Sequence, residues 1–174
     1  MTYLELRNKI STDIFTILDV GKNFPDQSGA TVRMQLSRLK KRGLIKVIKR
    51  GLYCFPGAHI DELSLARYLY QPSYISLETA LNYHGVIPDV PLAVTCVTTV
   101  TTKKITTESG IFYYHKIPSK LFWGFSLEPF FLAFPEKALL DYTYLMGKKA
   151  TRSLRIDWSK IDKKLLKKYD QYYR

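Results

Sequence analysis

Between Ala30 and Arg42 the apolar residues Val32, Leu36 and Leu39 recur at the spacing of one helical stripe, with no proline or glycine before Gly43. This pattern predicts an amphipathic helix that Gly43 ends. At about 100° per residue, Ala30, Thr31, Met34, Ser37, Arg38 and Lys41 fall opposite the stripe, with Arg33 and Gln35 at its flanks. None of these is acidic. Immediately after it, Ile45 and Val47 alternate imperfectly with lysines, Lys49-Arg50-Gly51 turns the chain, and Leu52 to Phe55 is a second β-prone run stopped by Pro56-Gly57. A helix followed by a tight, basic-tipped hairpin is therefore expected.

Upstream, Leu4, Ile10, Ile14, Phe15 and Leu18 supply apolar positions for a first helix and a second, with Ser11 or Thr16 as caps, and PDQSG turns into the helix at Ala30. The order helix, short helix, turn, helix, hairpin is that of a winged helix-turn-helix. Pro56 to His59 is turn-like and Asp61 can cap the next helix, which divides the chain into modules at 1–58 and 59–174.

The second module alternates helical and strand patterns. Leu63, Ala66, Leu69 and Tyr70 form a stripe that Pro72 stops. Ser76 caps a helix with Leu77, Ala80 and Leu81 facing inward and Gly85 at its end. The Val/Thr run at 92–102 and GIFYYHKI at 110–117 are expected to pair as a hairpin, and 121–134 reads as two short strands broken at Glu128-Pro129. Pro135 opens a helix whose stripe is Ala138, Leu139, Tyr142 and Leu145. Near the C-terminus, Ile161, Leu165, Leu166 and Tyr169 form an apolar stripe beside Lys160, Lys163, Lys164, Lys167 and Lys168. The fold class expected is α+β, an N-terminal winged helix-turn-helix followed by a mixed α/β domain.

Charge sharpens this picture. The net charge is +12 over 174 residues. Residues 1–60 carry 11 basic and 4 acidic side chains (+7), residues 61–150 carry 8 and 8, and residues 151–174 carry 8 and 3 (+5). A basic first third beside a neutral, aromatic middle points to a nucleic-acid module joined to something else. Small hydroxyls, a methyl group and guanidinium groups on one helix face suit the major groove, where the backbone must approach closely while side chains reach base edges. The candidates are Thr31, Met34, Ser37 and Arg38 for bases, and Lys41, Lys46, Lys49 and Arg50 for phosphates. A solvated basic face is the other reading of the same residues. For the lysine-rich tail, a solvated capping helix stands beside a DNA-backbone contact or docking on an acidic partner.

Cys54 and Cys96 lie 42 positions apart with no CxxC and no Cys/His pair at zinc spacing, so both are read as core thiols in a reducing compartment, with no structural metal. The N-terminus lacks an apolar run of signal-peptide length, and the most apolar region is interrupted by charges and prolines, so a cytoplasmic chain with no membrane association is expected. Catalysis is weighed through Asp89, Glu108, Glu136, Lys137 and Asp141 as a metal-dependent cluster, with His84 or His115 as base. Each acid has a structural explanation, such as Glu136 at a helix start. No Walker-type loop, nucleophile elbow or HExxH occurs. No catalytic residue, cofactor or metal is assigned. Phe112, Tyr113 and Tyr114 could stack single-stranded bases, but a strand aims alternate rings to opposite faces and is more simply buried.

SRLKKRGLI followed by RGLYCFP, then SLETALNYHGVIP, a Thr-rich strand, YYHKIP, LFWGF and FPEKALLDYTYL, resembles the AbiEi-type antitoxins of type IV toxin–antitoxin systems, the abortive-infection transcriptional regulators. The likeness spans about residues 10–150 and lies in the order and spacing of the motifs together. It implies an N-terminal winged helix-turn-helix that represses its own operon at inverted repeats of double-stranded operator DNA. It also implies a C-terminal domain that counters a nucleotidyltransferase toxin, with no direct contact required. The matching DNA-binding positions are Arg33, Ser37, Arg38, Lys41, Arg50 and Tyr53, Tyr53 being equally placed for the core. The family continues beyond the PEKALLD helix with further helices, where this chain has only WSKIDKKLLKKYDQYYR. Two copies on an inverted repeat would supply the specificity that one helix cannot, with or without dimerisation in solution. A stand-alone winged-helix regulator and a metal-dependent nucleic-acid enzyme are the alternatives.

Overall fold

A computed structural model describes residues 1–58 and 60–173; His59, in the expected boundary turn, and Arg174, the last residue of the basic tail, lie outside the described residues. The chain divides into two compact units, residues 1–61 and 62–174. The fold is mixed α and β.

In the first unit the order is α1 (Tyr3–Lys9), β1 (Ile14–Thr16), α2 (Ile17–Asn23), α3 (Gly29–Lys41), β2 (Lys46–Lys49) and β3 (Leu52–Cys54). Thr2 and Thr16 open α1 and α2 with capping boxes, Glu5 and Asp19 returning the bond to each cap's own N–H. Ser11 is not one of these caps. Ser28 caps α3, and Gly43, at φ 70°, lies just beyond its end. Ile14 and Phe15 are not helical as expected but form an edge strand on β3, giving the sheet order β1-β3-β2 with both pairings antiparallel. A three-residue strand has too few residues to show a period. Leu4 and Leu18, expected inside, are 70% and 72% exposed. The buried positions of these two helices are instead Leu6 and Val20. They join Ile10, Phe15, Phe24, Val32, Leu36, Leu39, Ile45 and Phe55 in one core.

The second unit is built on a six-stranded sheet, order β6-β7-β5-β4-β9-β8. The strands are β4 (Ser73–Ile75), β5 (Val94–Thr98), β6 (Lys103–Thr107), β7 (Gly110–Lys116), β8 (Phe125–Ser126) and β9 (Leu132–Ala133). The helices are α4 (Glu62–Leu69), α5 (Leu77–Tyr83), α6 (Pro135–Ser153) and α7 (Lys163–Asp170). The expected hairpin between 92–102 and 110–117 does not form, because β5 and β7 run parallel. The hairpin partner of β7 is β6, Lys103–Thr107, a strand with two exposed lysines at the sheet edge. The fully buried β5 lies inside, between β7 and β4. The two short strands around Glu128-Pro129 are present and antiparallel. In α4 the buried stripe is Leu65, Ala66 and Leu69, with Leu63 and Tyr70 only half-buried. Helix α6 continues past the last residue of its expected stripe, Leu145, but Gly147, at φ 86°, breaks it.

Ser76 stands at the N-cap of α5, yet its hydroxyl caps nothing there. It donates to Asp141 at 2.7 Å, and the N–H of Thr79 is taken by the Thr95 hydroxyl from β5 at 3.1 Å. A neighbouring strand thus supplies the cap that the helix's own serine has relinquished.

Candidate nucleic-acid interface

Three of the acidic residues of the first unit are engaged locally: Glu5 and Asp19 close capping boxes, and Asp13 pairs with Arg7 at 3.2 Å. The bond from the Thr2 N–H holds the Glu5 carboxyl below its ordinary range. Two basic residues are similarly occupied. Arg7 lies 4.4 Å over the Phe55 ring, and Lys9 donates to the Asn23 carbonyl and lies 4.5 Å over Phe24. From Gln27 to Ile60, by contrast, the sequence holds eight lysines and arginines and no acid.

Within that stretch, Val32, Leu36 and Leu39 are buried against the core as their spacing predicts. Arg33, Met34, Ser37, Arg38 and Lys41 are exposed, Met34 at 47%. The Arg33 guanidinium lies beside the start of α3, at van der Waals distance from where a Cβ on Gly29 would stand. Thr31 is half-buried, and its hydroxyl is shared with the capping Ser28 at 2.9 Å. Among the described residues no carboxylate pairs with Arg33, Arg38 or Lys41. Lys40 and Arg42 are exposed too and extend the basic surface beyond the expected positions. The acid-free run, rather than helical phase, is the signal that marks them.

In the hairpin, Lys46 and Arg50 are exposed, Arg50 at the turn. Lys49 is half-buried and already engaged by a neighbour. The register shifts here: Lys46 faces Cys54 and Val47 faces Tyr53, but Lys49 faces Leu52, leaving Ile48 as an extra residue. This bulge also explains the imperfect alternation of the run. Tyr53 belongs with the core, stacked on Phe15 at 5.8 Å between ring centroids. The Gly51 carbonyl accepts from the Ile17 N–H at 3.1 Å, fixing the hairpin to the start of α2.

The residues weighed for catalysis are dispersed or consumed. His84 is bonded through Nε2 to the Ala133 carbonyl at 2.8 Å, and Glu136 is buried and accepts the Asp162 N–H at 2.8 Å. Lys137 and Asp141 form a fully buried pair with Tyr74 and Tyr173. Burial draws the lysine's pKa down, and Asp141 opposes that shift. Among the described residues no three of His, Cys, Asp and Glu are grouped as metal ligands, and no helix is long and apolar enough to cross a membrane. Both cysteines are buried, and neither is in a disulfide. In the tail, Tyr169 packs edge-on against Trp123 at 4.7 Å, while Lys163, Lys164, Lys167 and Lys168 are exposed.

No protein-family model matches the chain, and no curated protein matches it.

Proposed function

We propose that the first unit is a winged helix-turn-helix that binds double-stranded operator DNA, and that the chain is the repressor and antitoxin of a toxin–antitoxin operon. The observation that carries the DNA-binding part is the face of α3: a 13-residue helix, buried along one stripe, whose other side is basic, acid-free and free of internal ion pairs among the described residues. Its place after α1, β1 and α2 and before an antiparallel hairpin supports the same reading. Ser37 and Arg38 face bases, with Met34 offering apolar contact to thymine methyls. Lys41, Lys46 and Arg50 contact phosphates. Thr31 is better placed to support the helix start than to read a base, because its hydroxyl is already bonded. The pairing with a nucleotidyltransferase toxin, and a cytoplasmic location, rest on the resemblance and on cysteine usage.

The test is binding of the purified protein to a labelled fragment of its own upstream DNA and to a scrambled fragment, from about 50 to 200 mM salt, where charge-driven binding falls steeply. Preference for the upstream fragment that survives at the higher salt is the expected result. Equal, salt-sensitive binding to both would reduce α3 to a general polyanion surface.

A second expectation separates the hairpin residues. Lys46→Ala should weaken binding on both fragments alike and lower the slope of log affinity against log salt by about one. Lys49→Ala should leave the slope nearly unchanged, since its side chain is half-buried and engaged. The reverse ranking, read from the same titrations, would place the bulged side of the hairpin against the DNA.

A further inference from the structure

A cleft of about 720 Å³ opens in the second unit between the ends of β5 and β7, the segment from Ile87 to Ala93 and the last turns of α6. Its walls are mainly apolar, supplied by residues such as Ile87, Leu92, Met146 and Leu154. Leu92 is fully exposed on the rim and Val90 is 78% exposed beside it. An ion pair between Asp89 and Arg155, at 2.5 Å, closes one edge of the rim.

Three polar groups meet in this apolar setting. Tyr113 and His115, two residues apart on β7 and opposite Thr95 and Val97 of β5, lie on one face with ring centroids 6.4 Å apart. Glu78, in the first turn of α5, faces the same space. The neighbouring Thr95 hydroxyl has no proton to offer Glu78, since it donates to the Ser76 carbonyl while accepting the Thr79 N–H. The Glu78 Oε2 atom is buried and meets no donor among the described residues. A carboxylate oxygen removed from water and left without a donor destabilises the fold, and most such atoms in folded proteins have a partner. The His115 ring makes no hydrogen bond within the described residues either, and burial lowers its pKa against the opposing influence of Glu78, so at neutral pH the ring is largely uncharged.

We propose that this cleft is a binding site for a small, mostly apolar molecule carrying a nitrogen donor, which Glu78 takes at the floor while the molecule's flat body lies along Tyr113, His115 and Met146. A concave, largely apolar cavity with a few converging polar groups is the general form of a small-molecule site. The acceptor chemistry of a carboxylate selects a donor. The neutral ring of His115 can donate or accept, according to its tautomer, toward a heteroatom of the same molecule. The site stands apart from the DNA-binding reading and does not depend on it.

The test uses isotopically labelled full-length protein and 2-aminobenzimidazole as the probe, with 2-methylbenzimidazole, which keeps the shape and loses the amino donor, as the control. Saturable NMR shifts confined to amides near Ala93, Thr95, Tyr113 and His115 are expected, with a dissociation constant below about 1 mM. The control should bind about tenfold more weakly, as should the probe to Glu78→Gln, which keeps the size of the side chain and removes its charge. Met146→Trp puts a larger ring at another lining position, and should abolish the shifts in a chain whose remaining spectrum is unchanged. Shifts that do not saturate, that scatter over the surface, or that persist undiminished in both variants would overturn the proposal.

Discussion

Asp141→Ala should lower the stability of the second unit by about 3–5 kcal/mol, the range for removing one member of a buried charge pair. Both Asp141 and Lys137 are completely buried. The three protons of the ammonium group go to Asp141 Oδ1, to the Tyr74 hydroxyl at 2.7 Å and to the Tyr173 hydroxyl at 2.6 Å. Each tyrosine passes a proton on to the same carboxylate, Tyr173 to Oδ1 at 2.6 Å and Tyr74 to Oδ2 at 2.9 Å, while Ser76 completes Oδ2 at 2.7 Å. Burial and the neighbouring carboxylate push both phenols well above the ordinary tyrosine range, so they remain donors. Trp123 adds a third ring around the ammonium, 5.2 Å from its centroid. Removing the carboxylate strands an ammonium group, two phenols and a serine in a site without water's dielectric. Both tryptophans, Trp123 and Trp158, lie in the second unit, so urea unfolding followed by their fluorescence reports that unit directly. The double variant Lys137→Met/Asp141→Leu removes both charges together and should recover a large part of the loss. A loss below about 1 kcal/mol for Asp141→Ala would mean that water reaches the network and that its members are not mutually dependent.

The sequence shows Lys137 and Asp141 four residues apart, a spacing that on most helices means a solvated pair. What makes this pair different is tertiary: Tyr74 comes from 63 residues upstream of Lys137 and Tyr173 from 36 residues downstream. The same division explains the rest of the fold. Helix α3 was legible because Val32, Leu36 and Leu39 repeat within its own length. The strands at Ile14–Thr16 and Ser73–Ile75 were not, since three residues contain barely one alternation, and Ser73–Ile75 is buried on both faces. The parallel pairing of β5 with β7 escaped notice because local runs say which residues are extended, not which strand lies between them. Lys103–Thr107, polar enough to pass for a loop, is the strand that forms the hairpin. In the basic surface, helical phase identified the exposed Arg33, Met34, Ser37, Arg38 and Lys41. It could not reveal that the Thr31 hydroxyl is shared with Ser28, or that the hairpin carries a bulge beside a half-buried Lys49. The cleft was equally hidden, as Glu78 and His115 are brought together only by the sheet.

Arg38→Ala should lose discrimination between the upstream and scrambled fragments, by about 1–3 kcal/mol if the guanidinium contacts guanine bidentately. The argument begins with the core: Leu36 and Leu39 are 0% and 5% exposed, which fixes the rotation of α3 about its axis. That rotation turns Arg38 outward, and no carboxylate among the described residues holds it. A charged side chain on a rigid helix, with its fork of donors unspent, can match the paired acceptors of guanine in the major groove. Because Arg38 is exposed, its replacement by alanine should leave the unit folded, with unchanged circular dichroism separating lost contact from lost structure. If binding to both fragments falls by the same factor, Arg38 is a phosphate contact, and the reading of sequence shifts to Met34 and Ser37 on the same face. If neither fragment is affected, α3 does not lie in the groove, and the β2–β3 hairpin and its Arg50 become the place to look.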